Sequence, residues 1–409
     1  MKSRFALLVL FCCWVSIAPA AAQDVAPPIP QRLNIHSKIL NEDREVWVRT
    51  PPDYQASKDV YPVLYQTDAP AQVNEIGSII DFLVTSNRMP PVIVVGIGNT
   101  DRNRDLTPEH ADIKNDDGSV ASFPTSGGAD KFLDFIQTEL MPEVEKRYRT
   151  AHYRIFSGHS FGGLFAIHAL VTRPDLFDAY IAVSPSLQWA DGHTLHDAQQ
   201  FFATHPGVNK TLFFSLGNEG ANGGAMGENF NALQKTLTAG APKGLVWKSA
   251  VYPDEDHGST VLLAHYAGLH TVFSDWQAPR DPKTGLFAGG LTGLEQHYRK
   301  LSERYGYKVA VPENAMNQLG YQLMGWKKLD EAIAVFQRNT ELYPDSANTY
   351  DSLGEGLEAA GKYDLATQNF QKAVAMGTKS NDGALAQFKQ HLERVAAEMK
   401  TAKTPVASQ

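Results

Sequence analysis

Five consecutive residues carry the strongest chemical pattern in the chain. Gly158-His159-Ser160-Phe161-Gly162 reads G-x-S-x-G, with Arg154-Ile155-Phe156 before it and the apolar run Leu164 to Val171 after it. A serine on a sharp strand-to-helix turn holds its hydroxyl above the sheet, and the residues two before and two after must be small for the backbone to close. The N–H of Phe161, at the start of the following helix, then points to where a carbonyl oxygen would take up negative charge. The chemistry this arrangement serves is nucleophilic attack on an acyl group.

A serine hydroxyl needs a base to take its proton, usually a histidine steadied by a carboxylate. Among thirteen histidines, His159 is too close to reach back to its neighbour's hydroxyl. His168 falls on the helix behind the elbow, and His193, His196 and His205 come before the strand expected to bear the acid. In this order of parts the acid follows one later strand and the histidine the next. His257 fits, in the turn-rich run Pro253-Asp254-Glu255-Asp256-His257-Gly258-Ser259. For the acid, Glu219 follows the strand Thr211 to Leu216 and is favoured over Asp254 and Asp256, which share the histidine's own loop; Asp191 is an outlying candidate. A second oxyanion donor should come from Thr67-Asp68-Ala69-Pro70; proline has no N–H, so Asp68 or Ala69 must serve, and Ala69 is taken.

The elements that must position these residues alternate in type. Leu33 to Leu40 and Arg44 to Thr50 read as a hairpin, and Tyr61 to Thr67 and Val92 to Ile97 as strands buried on both faces. Between and after them come helical spacings at Ile79, Ile80, Leu83 and Val84, and from Ala129 to Tyr148. Strands Ala179 to Val183, Thr211 to Leu216 and Leu245 to Tyr252 alternate with helices that end near Phe273. The expected class is α/β: a mainly parallel sheet with helices on both faces and an antiparallel hairpin at its start, over residues 23–280.

Before this domain, Met1-Lys2-Ser3-Arg4 and the apolar run to Ile17 followed by small residues read as a secretory signal over 1–22, which implies export to a periplasm or medium. Both cysteines fall inside it, so the remainder would use no disulfide. After it, 281–293 is a glycine- and proline-rich linker. Leu319-Gly320, Leu323, Ala332 and Phe336 recur 34 residues later as Leu353-Gly354, Leu357, Ala366 and Phe370. That period predicts tetratricopeptide-like helical hairpins over 294–399, with a disordered tail over 400–409. A net charge of −8 argues against nucleic acid or an anionic membrane as partner. There is no H-E-x-x-H, phosphate loop or dinucleotide fingerprint, and Asp112 to Gly118 has Lys114 where a calcium loop needs a ligand oxygen. No metal or cofactor is expected.

With these residues assigned, the chain resembles the esterase D-like group of α/β-hydrolases, and within it the periplasmic siderophore esterases of the enterobactin and bacillibactin type. The carrying stretches are Tyr61 to Tyr65, Val94 to Arg102, Arg104 to Pro108, Gly158 to Gly163, Pro174 to Phe177, Ser184-Pro185-Ser186 and Asp256-His257-Gly258. The resemblance implies a serine esterase with Ser160 as nucleophile and His257 as base. It also implies that a serine–histidine pair could act without Glu219. Arg102, after a strand at the active edge, could grip a carboxylate or catecholate oxygen or could simply hold its loop. Trp189 could wall an aromatic acyl group. Acyl transfer to a sugar or lipid would use the same acyl-enzyme. A protein-binding module built on the repeats, with an idle hydrolase domain, is a reading that the intact Ser160 and His257 set opposes.

Overall fold

In the computed structural model the described residues are 28–114, 119–219 and 224–402. The leader expected over 1–22 and most of the tail expected from 400 lie outside them. The chain divides into two compact units: Pro27–Arg280 with Gly293–Ala310, and Asp281–Thr292 with Val311–Gln409.

The first unit is built on strands β1 (Gln31–Ser37), β2 (Glu42–Arg49), β3 (Tyr61–Ala69), β4 (Ile93–Gly98), β7 (Thr150–His159), β8 (Ala179–Val183), β9 (Thr211–Asn218) and β10 (Val246–Asp256), with a two-stranded ribbon, β5 (Ile113–Lys114) and β6 (Val120–Ala121), apart from them. The eight run in the order β1-β2-β4-β3-β7-β8-β9-β10. The pairs β1–β2 and β2–β4 are antiparallel and the rest parallel. This is the α/β-hydrolase sheet with its hairpin at one edge, as the alternation of patterns implied.

Strand β7 lies between β3 and β8, and Ile155, Phe156 and Ser157 on it are fully buried. A strand covered on both faces reads as continuous apolar sequence rather than alternation. The helix that follows, Phe161–Thr172, is buried from Gly162 to Leu170, so its apolar residues go all the way round. An apolar strand and an apolar helix thus anchor both sides of the turn that carries Ser160.

The helix expected over Leu294 to Tyr305, at the start of the repeat region, forms as Gly290–Tyr305, and its residues from Gly293 onward group with the sheet. Tyr305 donates its hydroxyl to Asp275 at 2.7 Å, Arg304 pairs with Asp275 at 2.6 Å, and the Tyr305 ring stands edge-on to Tyr153 at 4.8 Å. Aromatic residues alone did not reveal which neighbour they covered.

The second unit is all-helical, with helices Glu313–Gly325, Leu329–Leu342, Ala347–Ala359, Tyr363–Ser380 and Leu385–Ala402. Gly320 lies so close under the Phe336 ring that a Cβ would sit 2.4 Å from it, and Gly354 repeats the contact with Phe370 at 2.5 Å. The 34-residue spacing therefore repeats a packing contact: a glycine that admits a ring from the next helix.

Candidate active site

Ser160 sits between β7 and its helix at φ 60, ψ −114. That backbone region is costly for a residue with a side chain and is held only where the surroundings dictate it. Gly158 and Gly162 explain how the turn closes: a Cβ on Gly158 would lie 2.5 Å from the Gly162 carbonyl. A Cβ on Gly162 would lie 2.5 Å from Thr67 Oγ1, so the missing side chain also lets the end of β3 approach the elbow. Phe161 and Ala69, the residues expected to supply oxyanion donors, are on the two elements brought together there. Phe161 is the first helical residue, whose N–H has no acceptor within the helix.

His257 follows β10, and Glu219 follows β9. The ends of the two strands are tied by Asn218 Nδ2 donating to the Pro253 carbonyl at 3.2 Å. His257 Nδ1 lies 2.8 Å from Glu219 Oε2, with the carboxylate 8% exposed and the imidazole 38% exposed. A carboxylate accepts, so Nδ1 carries the proton and Nε2 is left as the basic nitrogen. Asp256, the rival acid, is occupied within its own loop, accepting from Gly258 N at 2.9 Å and Ser259 N at 2.7 Å. Those bonds hold its carboxyl below the usual range. Asp191 lies in a left-handed kink, at φ 55, inside the helix Trp189–Thr204.

Two contacts escaped the sequence reading. His159 cannot serve Ser160, but its Nε2 is 2.7 Å from the main-chain oxygen of His257 and the rings are 4.5 Å apart. Burial pushes its pKa down to about 4, so the ring is neutral and Nε2–H donates to that carbonyl. The second contact is Ser186: its Oγ is 3.2 Å from Ser160 Oγ, and its N–H donates to the Ser160 carbonyl at 3.2 Å. Each joins residues far apart in sequence, and only the Ser184-Pro185-Ser186 pattern gave any hint.

Arg102 is held by the protein itself. Its guanidinium reaches Asp68 through Nε at 2.7 Å and Nη2 at 3.2 Å, donates to the His159 carbonyl at 3.0 Å, and lies over the Phe161 ring. Asn99 Nδ2 donates to the same carboxylate at 2.7 Å. A planar fork used in this way fixes the ends of β3 and β7 relative to each other. The short helix Arg102–Leu106 is anchored in turn by the buried pair Arg44–Asp105 at 2.7 Å and by Arg104 against Glu42. Trp189 is buried, donates Nε1–H to the Glu109 carbonyl at 3.0 Å, and packs edge-on against Phe161 at 5.0 Å and Phe123 at 5.1 Å. Phe161 and Phe123 are the part-exposed members of that cluster, so they, rather than Trp189, present ring surface.

The sheet, its elbow and the later-strand loops define an α/β-hydrolase with a carboxylic ester hydrolase site. Comparison with known proteins agrees. The Esterase family model matches residues 37–237. The ferri-bacillibactin esterase BesA of Bacillus subtilis is 31% identical over 223 residues, covering 49% of this chain and 75% of that protein. The siderophore enterobactin esterase of Emericella nidulans is 34% identical over 219 residues, covering 44% of this chain and 70% of that protein. The crystal structure of an IroE-like serine hydrolase from Shewanella oneidensis superposes with a TM-score of 0.65 at 31% identity, over 76% of this chain and 99% of that one. The chain belongs to the esterase family that contains these siderophore esterases. Among the described residues no helix is long and apolar enough to cross a membrane.

Proposed function

We propose that the chain is an exported serine esterase that cleaves siderophore or aromatic-acyl esters through an acyl-enzyme on Ser160. The observation that carries the reading is the His257 Nδ1 to Glu219 contact at 2.8 Å, which leaves Nε2 free as a base. Nε2 takes the Ser160 proton as Oγ attacks the ester carbonyl. The N–H groups of Phe161 and Ala69 hold the oxyanion, and collapse expels the alcohol, which takes the proton from Nε2. Water then repeats the sequence and frees the acid.

The siderophore assignment draws on the names of the two curated relatives, and the aromatic surface of Phe123 and Phe161 beside the nucleophile suits a catechol or other aryl acyl group. Export draws on the leader pattern at residues 1–22. The helical unit is read as tetratricopeptide-like and as a surface for a protein partner.

The test is a hydrolysis screen of aryl acetates, feruloyl esters and catecholate siderophore lactones, with and without iron, run beside Ser160→Ala. The variant should lose at least about 10⁴-fold in kcat. Wild-type protein treated with a fluorophosphonate should gain one phosphonyl group on the peptide containing Ser160. Labelling elsewhere, or an active Ser160→Ala, would refute the acyl-enzyme; a preference for aryl acetates over every feruloyl ester and siderophore lactone would refute the substrate class.

A further inference from the structure

We propose that Ser186 is a further catalytic residue, whose hydroxyl donates a hydrogen bond to Ser160 Oγ as the acyl–oxygen bond to that atom forms and breaks. The inference rests on the reading of Ser160 as the nucleophile. Ser186 lies in the turn after β8, is 2% exposed, and its Oγ stands 3.2 Å from Ser160 Oγ. A buried hydroxyl must find a partner, and the partner here is the reacting atom itself.

The turn is built to deliver that hydroxyl. Ser184, at its start, is held at φ 38, a left-handed conformation unfavourable to a residue with a side chain. Its N–H donates to the Ser215 carbonyl at 3.0 Å and its Oγ accepts from Gly217 N at 3.1 Å, so β9 fixes it. Gly163 lets the turn close on the elbow helix: a Cβ there would lie 2.9 Å from Pro185 Cα. The Ser186 N–H already ties the turn to Ser160 through the latter's carbonyl. The side-chain contact is therefore additional to what holding the backbone requires.

Charge dictates when the contact matters. In the acyl-enzyme, Ser160 Oγ is an ester oxygen and a weak acceptor. When the second tetrahedral intermediate collapses, the carbon–Oγ bond breaks, the electron pair stays on Oγ, and His257 Nε2–H supplies the proton. Ser186 keeps its own proton throughout. A donor aimed at an oxygen gaining charge is stronger than one aimed at a neutral ester, so the hydroxyl favours this transition state over its ground state. In acylation Oγ begins as a hydroxyl that can donate or accept in this contact, and the gain is smaller. Ser186 thus acts mainly on deacylation.

The experiment compares Ser186→Ala and Ser186→Thr with wild type and Ser160→Ala on p-nitrophenyl acetate, by steady-state and stopped-flow release of nitrophenolate, with melting temperatures recorded for each. Ser186→Ala should lower kcat by roughly 10–100-fold and kcat/KM by much less, with a burst approaching one equivalent as the acyl-enzyme accumulates. Ser186→Thr, which keeps a hydroxyl, should recover most of kcat. A kcat within twofold of wild type in the alanine variant, or equal losses in both variants, would overturn the role. These results with an inactive Ser160→Ala would leave the nucleophile reading standing; an active Ser160→Ala would remove both.

Discussion

His257 and His391 are each braced through Nδ1 by a carboxylate, Glu219 at 2.8 Å in the sheet unit and Asp351 at 3.0 Å in the helical unit. Their other nitrogens meet different surroundings. The His257 ring is 38% exposed, on a loop at the carboxyl end of the sheet. His391 is 8% exposed and its Nε2 is 3.8 Å from Glu355 Oε1. Around it, Tyr321 donates to Glu355 at 2.6 Å and Arg394 lies 3.9 Å from the same carboxylate. The first pair leaves its basic nitrogen, Nε2, unclaimed by the Glu219 bond. The second places an imidazole among carboxylates, which raises its pKa, chiefly through the Asp351 bond. A histidine–carboxylate pair becomes a general base only when its second nitrogen is unclaimed and reachable.

The largest effect that would sharpen this contrast is that of Glu219→Gln. A glutamine amide facing Nδ1 can donate, which would favour the tautomer with its proton on Nε2, the wrong one for a base. The expected loss in kcat on p-nitrophenyl acetate is roughly 10³–10⁴-fold, as for the buried aspartate of serine proteases. A tenfold loss or less would mean that Ser160 and His257 suffice and that the Glu219 brace is structural.

What could be read from sequence follows from the range of the interactions. The Ser160 elbow depends on residues within four positions of it, and its glycines announce it. Glu219 and His257 were reachable because their order along the chain mirrors the order of neighbouring strands. Arg102 was not resolved, since whether an arginine grips a ligand or Asp68 depends on what the end of β3 brings near. Ser186 and the His159 ring act on atoms 26 and 98 residues away, which no local pattern encodes. The helix Gly290–Tyr305 was misplaced for a related reason. Its amphipathic pattern shows that one face is covered, but not by which unit.

That helix supports a second, smaller prediction, which removes the His391 pair altogether. A chain ending at Ala310 should be soluble and keep its kcat on p-nitrophenyl acetate within about twofold, since Ser160, Glu219 and His257 remain supported. A chain ending at Gly289 should melt at least several degrees lower, because losing Tyr298, Leu301 and Tyr305 uncovers Tyr153, Phe273 and Trp276. Equal melting temperatures for the two would show that the helix adds nothing to the sheet unit. An inert 1–310 chain would show that the two histidine pairs are not independent.

The smallest effect is that of Asp351→Asn, and it tests the other side of the comparison. His391 has its pKa raised above the ordinary value of 6.5, chiefly by its bond to Asp351. The folded state therefore holds that proton more tightly than the unfolded chain. Its contribution to stability is complete below about pH 6.5 and is lost as pH rises through the folded value. Glu355, also raised by burial, makes stability fall with pH as well, but beginning from the carboxylate range near 4.5. Asparagine can still accept from Nδ1–H, but without the charge that raises the His391 pKa. At pH 6 the variant should lose about 1.5–3 kcal/mol in the helical unit, the range for a hydrogen bond to a charged group. As pH rises above about 6.5 its stability should then change little while that of wild type declines. Thermal unfolding followed by helical circular dichroism reads the helical unit, and hydrolysis of p-nitrophenyl acetate reads the sheet unit separately. A wild-type pH slope in the variant would show that Asp351 does not hold the proton on His391. A fall in ester hydrolysis at 25 °C would show that this buried pair is linked to the catalytic one, and that burial and saturation do not separate their roles.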